Sequence, residues 1–164
     1  MKDNWCFYTL PLNVPDKSFD EFTPIINLYR SKINDQQSLK LPTWKCFNFS
    51  DFRGWHHNIA LSEVDDTNYM PRFRIMPTGI VKVLDRDATG ETLDTILVSA
   101  TKSEIQTQIK KIMHGPLLGL TTGNLPLKDN TSVFLKSLHL PLTLDGFNVE
   151  QLIHAVSIGN GNLH

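Results

Sequence analysis

The sequence has little of what marks several common protein classes. Its 164 residues include two cysteines, Cys6 and Cys46, too few for a disulfide framework or a four-cysteine zinc site. The formal net charge is −1, without the basic excess that is typical of proteins that bind nucleic acid or anionic lipid. These features predict a cytoplasmic protein of a reducing compartment, with no nucleic-acid partner.

Long apolar runs and known catalytic motifs are also missing from the sequence. No stretch of 18 apolar residues occurs, and the N-terminus runs into Pro11 and Pro15 without the apolar core of a signal peptide. The sequence contains no G-x-S-x-G, P-loop or H-E-x-x-H pattern. We therefore expect no membrane partner, no catalytic metal and no hydrolytic activity.

An amphipathic helix is predicted near the N-terminus. Ser18 precedes an acidic first turn, and apolar residues then recur at helical spacing over 19–33. The apolar stripe comprises Phe22, Ile25, Ile26 and Tyr29. Such a stripe either covers a sheet or forms an association surface for a homodimer or a signalling partner, and the pattern fits both.

A second helix has clearer boundaries. Thr101 is followed three positions later by Glu104, which is the pattern of a capping box. Ile105, Ile109 and Ile112 fall on one face of the following helix, and Gly115-Pro116 ends it.

The remaining patterns are those of β-strands. Residues 55–64 and 69–76 flank the polar turn 65–68 and predict a hairpin in which Phe73 and Ile75 share a buried face. Three further strands are expected at 117–127, 133–142 and 149–158. Strand pairs joined by tight turns predict an α+β fold, a five-stranded antiparallel sheet with helices packed on one face.

This order of elements resembles that of PAS domains, and particular residues strengthen the resemblance. The segments RFRIMPTGIV (72–81) and DRDATG (85–90) are similar to the F-R-x-x-G-T-x-I-V and G-R-D-x-T-G motifs of the bacterial single-domain PAS-like family. Pro141-Leu142 before Asp145-Gly146 is similar to a pair late in that family's fourth strand. Pro77 and Asp85 stand where the family usually has glycine.

The resemblance implies a domain division and a function. We expect an N-terminal extension with the amphipathic helix over 1–40, a PAS-like domain over 41–158 and a flexible tail over 159–164. The implied function is sensory or regulatory, in signal transduction, through binding of a small ligand or through protein association.

In PAS-like domains, ligands bind between the long helix and the inner face of the sheet. The resemblance therefore implies a mostly apolar site for a small apolar ligand, with few polar anchors. The residues expected to line it are Phe73, Ile75, Thr78, Ile80, Ile109, Ile112, His114, Leu120 and Leu140.

Two cofactors of PAS sensors can be weighed from the sequence. His114 is a candidate haem ligand, since haem-binding PAS sensors take a histidine from this helix, but its place at the helix end favours a C-terminal cap. The reactive cysteine of a flavin photosensor follows the second strand, whereas Cys6 and Cys46 precede the hairpin. A photoreactive flavin adduct is thereby excluded, and the sequence leaves the cofactor unknown.

Two alternative functions stay open. One is an enzyme with a buried acid–base pocket, for which His139 with Asp145, or His57 with Asp65, are the candidate pairs. The other is an adaptor domain whose cavity is filled by its own side chains. Fold alone does not distinguish these functions.

Overall fold

The structure is a computed structural model that describes residues 4–13, 20–33 and 41–160. The predicted cap Ser18, the connector 34–40 and tail residues 161–164 lie outside the described residues. The strands are β1 (Cys6–Leu10), β2 (Ile59–Glu63), β3 (Arg72–Ile75), β4 (Leu118–Pro126), β5 (Ser132–Thr143) and β6 (Val149–Asn160). The α-helices are α1 (Thr23–Ser31), α2 (Thr78–Leu84), α3 (Leu93–Ile96) and α4 (Lys102–His114).

The strands form one antiparallel sheet in the order β1-β4-β5-β6-β2-β3. The predicted antiparallel pairing is confirmed. The strand count is corrected from five to six, because β1 lies within the lead-in and pairs with β4. No helix of the described residues is long and apolar enough to cross a membrane.

The long helix α4 has the predicted bounds and buries the predicted stripe. Ile105, Ile109 and Ile112 are completely buried against the inner face of the sheet. A side chain at Gly119 of β4 would clash with Ile112, so the glycine allows the helix to approach the strand closely.

Helix α1, within the predicted N-terminal amphipathic helix, lies on the face of the sheet opposite to α4. Its apolar stripe packs on the outer face, and Ile26 and Tyr29 are fully buried there. The Tyr29 hydroxyl donates a hydrogen bond of 2.6 Å to the backbone oxygen of Pro141. The stripe proposed as an association surface is therefore buried within the chain, and the homodimer stays a prediction.

The first hairpin is shorter than predicted. Residues 56–58 form a 3-10 turn, so β2 begins at Ile59, and β3 covers only Arg72–Ile75. A shift in register between Leu61 and Ser62 accompanies the pairing of β2 with β3. Ile75, expected to be buried beside Phe73, is 40% exposed because it ends this short edge strand.

The two departures from the family's glycines are accommodated locally. Asp85 follows α2 with φ of 55°, a left-handed conformation that favours glycine but that aspartate tolerates. Pro77 precedes the first turn of α2 with an extended backbone, where a proline costs no helical hydrogen bond.

Candidate functional site

A small cavity lies between the inner face of the sheet and helices α2 and α3. Its volume is about 40 Å³, enough for about one to three water-sized groups. Apolar side chains form its walls, among them Ala60, Phe73, Ile80, Leu93, Ile96 and Val156. Four polar side chains of the sheet also line it, namely Thr121, Ser137, His139 and His154.

Three of these polar groups belong to a chain of buried hydrogen bonds that crosses the sheet. His139 Nδ1 and His154 Nδ1 are 2.7 Å apart. Ser62 Oγ lies 2.7 Å from His154 Nε2, and Thr121 Oγ1 lies 2.9 Å from His139 Nε2. Thr121 Oγ1 also lies 3.0 Å from Gln108 Oε1, so the chain extends from β2 to α4.

The amide group of Gln108 sets the direction of these bonds. Its Nε2 lies 3.0 Å from the backbone oxygen of Tyr8 and 3.1 Å from that of Leu120. Both oxygens can only accept, so Nε2 donates to them and Oε1 faces Thr121 as an acceptor. Since the one hydroxyl proton of Thr121 goes to Gln108, Thr121 must accept a proton from His139 Nε2.

The tautomers of the two imidazoles follow from this direction. A neutral His139 with its proton on Nε2 presents an unprotonated Nδ1, so His154 must donate to it from its own Nδ1. The unprotonated Nε2 of His154 then accepts the hydroxyl proton of Ser62. Every hydrogen bond from Ser62 to Gln108 therefore points the same way, and both imidazoles are fully used.

Burial keeps both imidazoles neutral. Desolvation lowers the pKa of His139 from 6.5 to about 3. Desolvation, with a smaller effect from His139, lowers the pKa of His154 well below 6.5. The groups that contact the pair are themselves uncharged, namely the hydroxyls of Ser62 and Thr121 and the ring of Phe73.

The geometry also limits how many protons the pair can hold. A proton added to His139 Nδ1 requires His154 to lose its Nδ1 proton and to donate from Nε2 to Ser62 instead. A second proton would place two N–H groups face to face over 2.7 Å. The pair therefore accommodates one positive charge at most.

The predicted site residues divide between several places in the structure. Phe73 and Ile80 line the cavity, and Ile109 and Ile112 are buried in the same core. Thr78 stands at the start of α2, where its hydroxyl lies 3.0 Å from His57 Nδ1.

Three other predicted residues lie away from the cavity. Leu120 and Leu140 pack in the core of the outer face, because their positions along β4 and β5 turn them to that side. His114 is exposed at the end of α4, and its Nε2 lies 3.2 Å from the Tyr69 hydroxyl. Whether any of these residues binds a ligand stays a prediction.

The residues at the cavity do not fit a haem or a flavin. Cofactor sites usually have volumes of about 300–1,000 Å³, far above the 40 Å³ present. His139 and His154 use both ring nitrogens in hydrogen bonds, and His114 lies elsewhere. Among the described residues, no group of three or more His, Cys, Asp or Glu side chains is placed to hold a metal ion.

The candidate acid–base pairs are not brought together in the described part of the chain. His139 is buried in the sheet, whereas Asp145 organises the β5–β6 turn through the backbone N–H groups of Phe147 and Asn148. Those hydrogen bonds lower the pKa of the Asp145 carboxyl to about 2. Asp65 organises the β2–β3 turn in the same way, through the backbone and hydroxyl of Thr67 and the backbone of Asn68.

A larger open groove of about 910 Å³ lies outside the core. It runs between the β2–β3 turn, the end of α4 and the β5–β6 turn, and His114 lies on its wall. Asp65, Asp66 and Glu150 give it an acidic character.

Sequence reasoning missed most of the buried hydrogen-bond chain. The sequence suggested a role for His139 only as a partner of Asp145. It suggested none for the other members of the chain, which are Ser62, Gln108, Thr121 and His154. A signal was present, since Ser137 and His139 occupy successive same-face positions in a strand whose neighbouring residues Leu138 and Leu140 are apolar. The pairing of His139 with His154 depends on strand register, which the sequence pattern did not fix.

Solved structures share this fold at low sequence identity. An RNA-binding Light-Oxygen-Voltage receptor matches 94% of the chain with a TM-score of 0.53 and 9% identity, and the match covers 39% of that receptor. The PAS domain of an HTR-like protein from Haloarcula marismortui matches 66% of the chain and 95% of its own length, with a TM-score of 0.48 and 12% identity. No family model and no curated protein matches the sequence. The match to the Light-Oxygen-Voltage receptor shows a PAS-like fold, and it shows the fold alone.

Proposed function

We propose that this chain is a non-enzymatic sensory or regulatory domain of PAS type, acting in signal transduction in the cytoplasm. The observation that carries the proposal is the directed hydrogen-bond chain beside an apolar cavity on the inner face of the sheet. Buried polar groups cost free energy unless they are fully paired, so a core that retains two imidazoles is built for more than packing.

The ligand that we propose is small, uncharged and mostly apolar. No charged side chain lines the cavity in the described part of the chain. An ion would therefore lose its hydration without a compensating charge, at a cost of several kcal/mol. Ser137 lines the cavity, is 7% exposed as a residue, and forms no side-chain hydrogen bond to another described residue. It offers the ligand one polar contact.

The hydrogen-bond chain supplies a route from this cavity to the surface elements. A ligand that moves His139 acts on Thr121 and, through it, on Gln108 of α4. Gln108 in turn holds the backbone of β1 and β4. Occupation of the cavity is thus coupled to the position of α4 over the edge of the sheet.

Ligand binding can be tested on the purified full chain. Native mass spectrometry and an absorption spectrum would identify a co-purifying molecule. Xenon, a small apolar probe of such cavities, would then be added while the imidazole nitrogens are followed by ¹⁵N NMR. We expect the signals of His139 and His154 to shift, while that of the exposed His114 stays unchanged.

Two matched alanines provide the control. Ala60 lines the cavity and is 2% exposed, whereas Ala155 is fully buried on the outer face. Ala60→Val should abolish the response to xenon, and Ala155→Val should preserve it. A folded wild-type chain that carries no co-purifying molecule and shows no shift of either imidazole with xenon would contradict ligand binding.

An adaptor domain without a ligand is the second candidate function. The observation that favours it is the small cavity volume of about 40 Å³, which leaves most of the inner core filled by the chain's own side chains. In that case signalling would depend on protein association alone. The negative outcome of the xenon experiment would support this function.

A further inference from the structure

The two edges of the described sheet differ in how they are protected. Outside β3, the backbone of Phe73 exchanges hydrogen bonds with Gly90 and Glu91, so this edge is covered by the chain. Outside β1, no described strand is paired. The segment WCFYTL (5–10) carries neither charge nor proline, the two features that usually prevent an edge strand from pairing with another chain.

The backbone groups that β1 leaves unpaired can be assigned. Gln108 Nε2 reaches the backbone oxygens of both Tyr8 and Leu120, residues directly opposite each other in the ladder. The two carbonyls therefore face each other, as in a hydrogen-bonded antiparallel pair. Because successive residues alternate, the N–H and C=O groups of Phe7 and Thr9 point away from β4 toward the free edge.

A groove of about 330 Å³ runs between β1 and α4 beside this edge. The inward side chains of β1 form one wall, and α4 from Ser103 to Lys111 forms the other. Glu104 and Lys111 both line the groove and are exposed. Gln108 lies at the middle of the groove and donates a hydrogen bond to the backbone oxygen of Tyr8, the central residue of β1.

We propose that β1 pairs with β1 of a second copy of this chain, antiparallel about a two-fold axis at Tyr8, and joins the two sheets into one. In this arrangement Phe7 of each copy pairs with Thr9 of the other, so the unpaired backbone groups of both edges are satisfied. A two-fold antiparallel pair is self-complementary, as a closed homodimer requires.

The charges of the groove favour a second copy as the occupant. Glu104 precedes Gln108 by about one helical turn, and Lys111 follows it by nearly the same distance. A two-fold axis at the middle of β1 reverses the partner helix, which brings Lys111 of one copy opposite Glu104 of the other. The groove therefore carries opposite charges at positions that the same symmetry exchanges.

Thr9 provides the first test, by sedimentation velocity of the full chain over a range of concentrations. Thr9→Pro removes an N–H that faces the free edge and leaves the hydrogen bonds to β4 in place, whereas Thr9→Val keeps that N–H. We expect the wild type and Thr9→Val to dimerise alike, and Thr9→Pro to dimerise at least about tenfold more weakly. A wild-type chain that stays monomeric, or a folded Thr9→Pro chain with wild-type affinity, would overturn the proposal.

A charge exchange provides a second test that does not alter β1. Glu104→Lys and Lys111→Glu each place like charges opposite one another and should each weaken the dimer about tenfold or more. The double variant restores opposite charges and should recover the dimer, whereas Lys110→Glu, outside the groove and beside the Tyr69 ring, should leave it unchanged. Failure of the double variant to recover affinity above that of either single variant would also overturn the proposal.

Discussion

The two faces of the sheet are built from the same strands and differ in chemistry. The outer face is apolar along its centre, where Leu138, Leu140 and Ile153 pack against α1. The inner face carries hydroxyl and imidazole groups at the neighbouring positions of the same strands, including Ser137, His139 and His154. Because side chains of a strand alternate between faces, one strand supplies ordinary packing to one side and a hydrogen-bond chain to the other.

The two faces therefore differ in how their contribution to stability depends on pH. The outer core with α1 contributes hydrophobic stabilisation that does not depend on pH. The inner core depends on two neutral imidazoles, so its stability responds to protons and to whatever contacts the imidazoles. The predictions below act on one face at a time.

Acidification should have the largest effect, and it should act on the inner face. The unfolded chain binds protons on His139 and His154 as the pH falls below 6.5, while the folded chain does not, since the folded pKa of His139 is about 3 and that of His154 is also lowered. The contribution of the two neutral imidazoles to the free energy of unfolding is complete above pH 6.5 and is lost as the pH falls. At pH 5 the loss is about 2 kcal/mol for His139, and the lowered pKa of His154 adds a loss of the same sign.

Urea denaturation at several pH values measures this loss. A free energy of unfolding that is constant over this range would contradict the neutral, buried pair.

Truncation of the outer core should have the next largest effect. Leu140 is 1% exposed, so Leu140→Ala removes buried methyl groups and leaves a cavity, which costs about 3 kcal/mol at any pH. Denaturation compares it with Leu144→Ala, a change at a 62% exposed residue, which should cost less than about 0.5 kcal/mol. If the stability lost in Leu140→Ala changed with pH as the wild-type stability does, the outer face would not differ from the inner face in its pH dependence.

The loss of stability on interrupting the hydrogen-bond chain should depend on which member of the chain is replaced. Thr121→Val leaves both His139 Nε2–H and Gln108 Oε1 without a partner, and should cost about 2 kcal/mol. Ser62→Ala removes the end of the chain and leaves only His154 Nε2 unpaired, at about 1 kcal/mol. Denaturation measures both, and ¹⁵N NMR should show His139 protonated on Nε2 and His154 on Nδ1. The reverse order of costs, or the reverse tautomers, would refute the assigned direction.

Removal of the polar contact on the outer face should have the smallest effect. Tyr29→Phe keeps the buried ring and loses the hydrogen bond to the Pro141 oxygen. The expected loss is about 1 kcal/mol, and it should be the same at pH 7 and pH 5, because burial raises the pKa of the Tyr29 hydroxyl. The melting temperature of the variant at the two pH values tests this.

Local patterns in the sequence determined the elements that depend on near neighbours. The bounds of α4 follow from Thr101, the isoleucine stripe and Gly115, all within 15 residues of one another. The turns at 65–68 and 145–146 follow from short polar segments that hydrogen-bond to their own backbone. Resemblance to the PAS-like family supplied the fold class, whereas the order of the strands in the sheet came from the structure.

Only the tertiary structure decided which surfaces meet. An amphipathic stripe shows that α1 buries a face, but the partner was the outer side of the sheet. Strand β1 was missed because five residues gain strand structure only through pairing with β4, more than 100 positions away. The His139–His154 contact likewise requires the β5–β6 register, which brings two otherwise unremarkable histidines to opposite positions and excludes water from both. Pairing and burial are properties of the whole fold, so the chemistry of this site exists only once the sheet has closed.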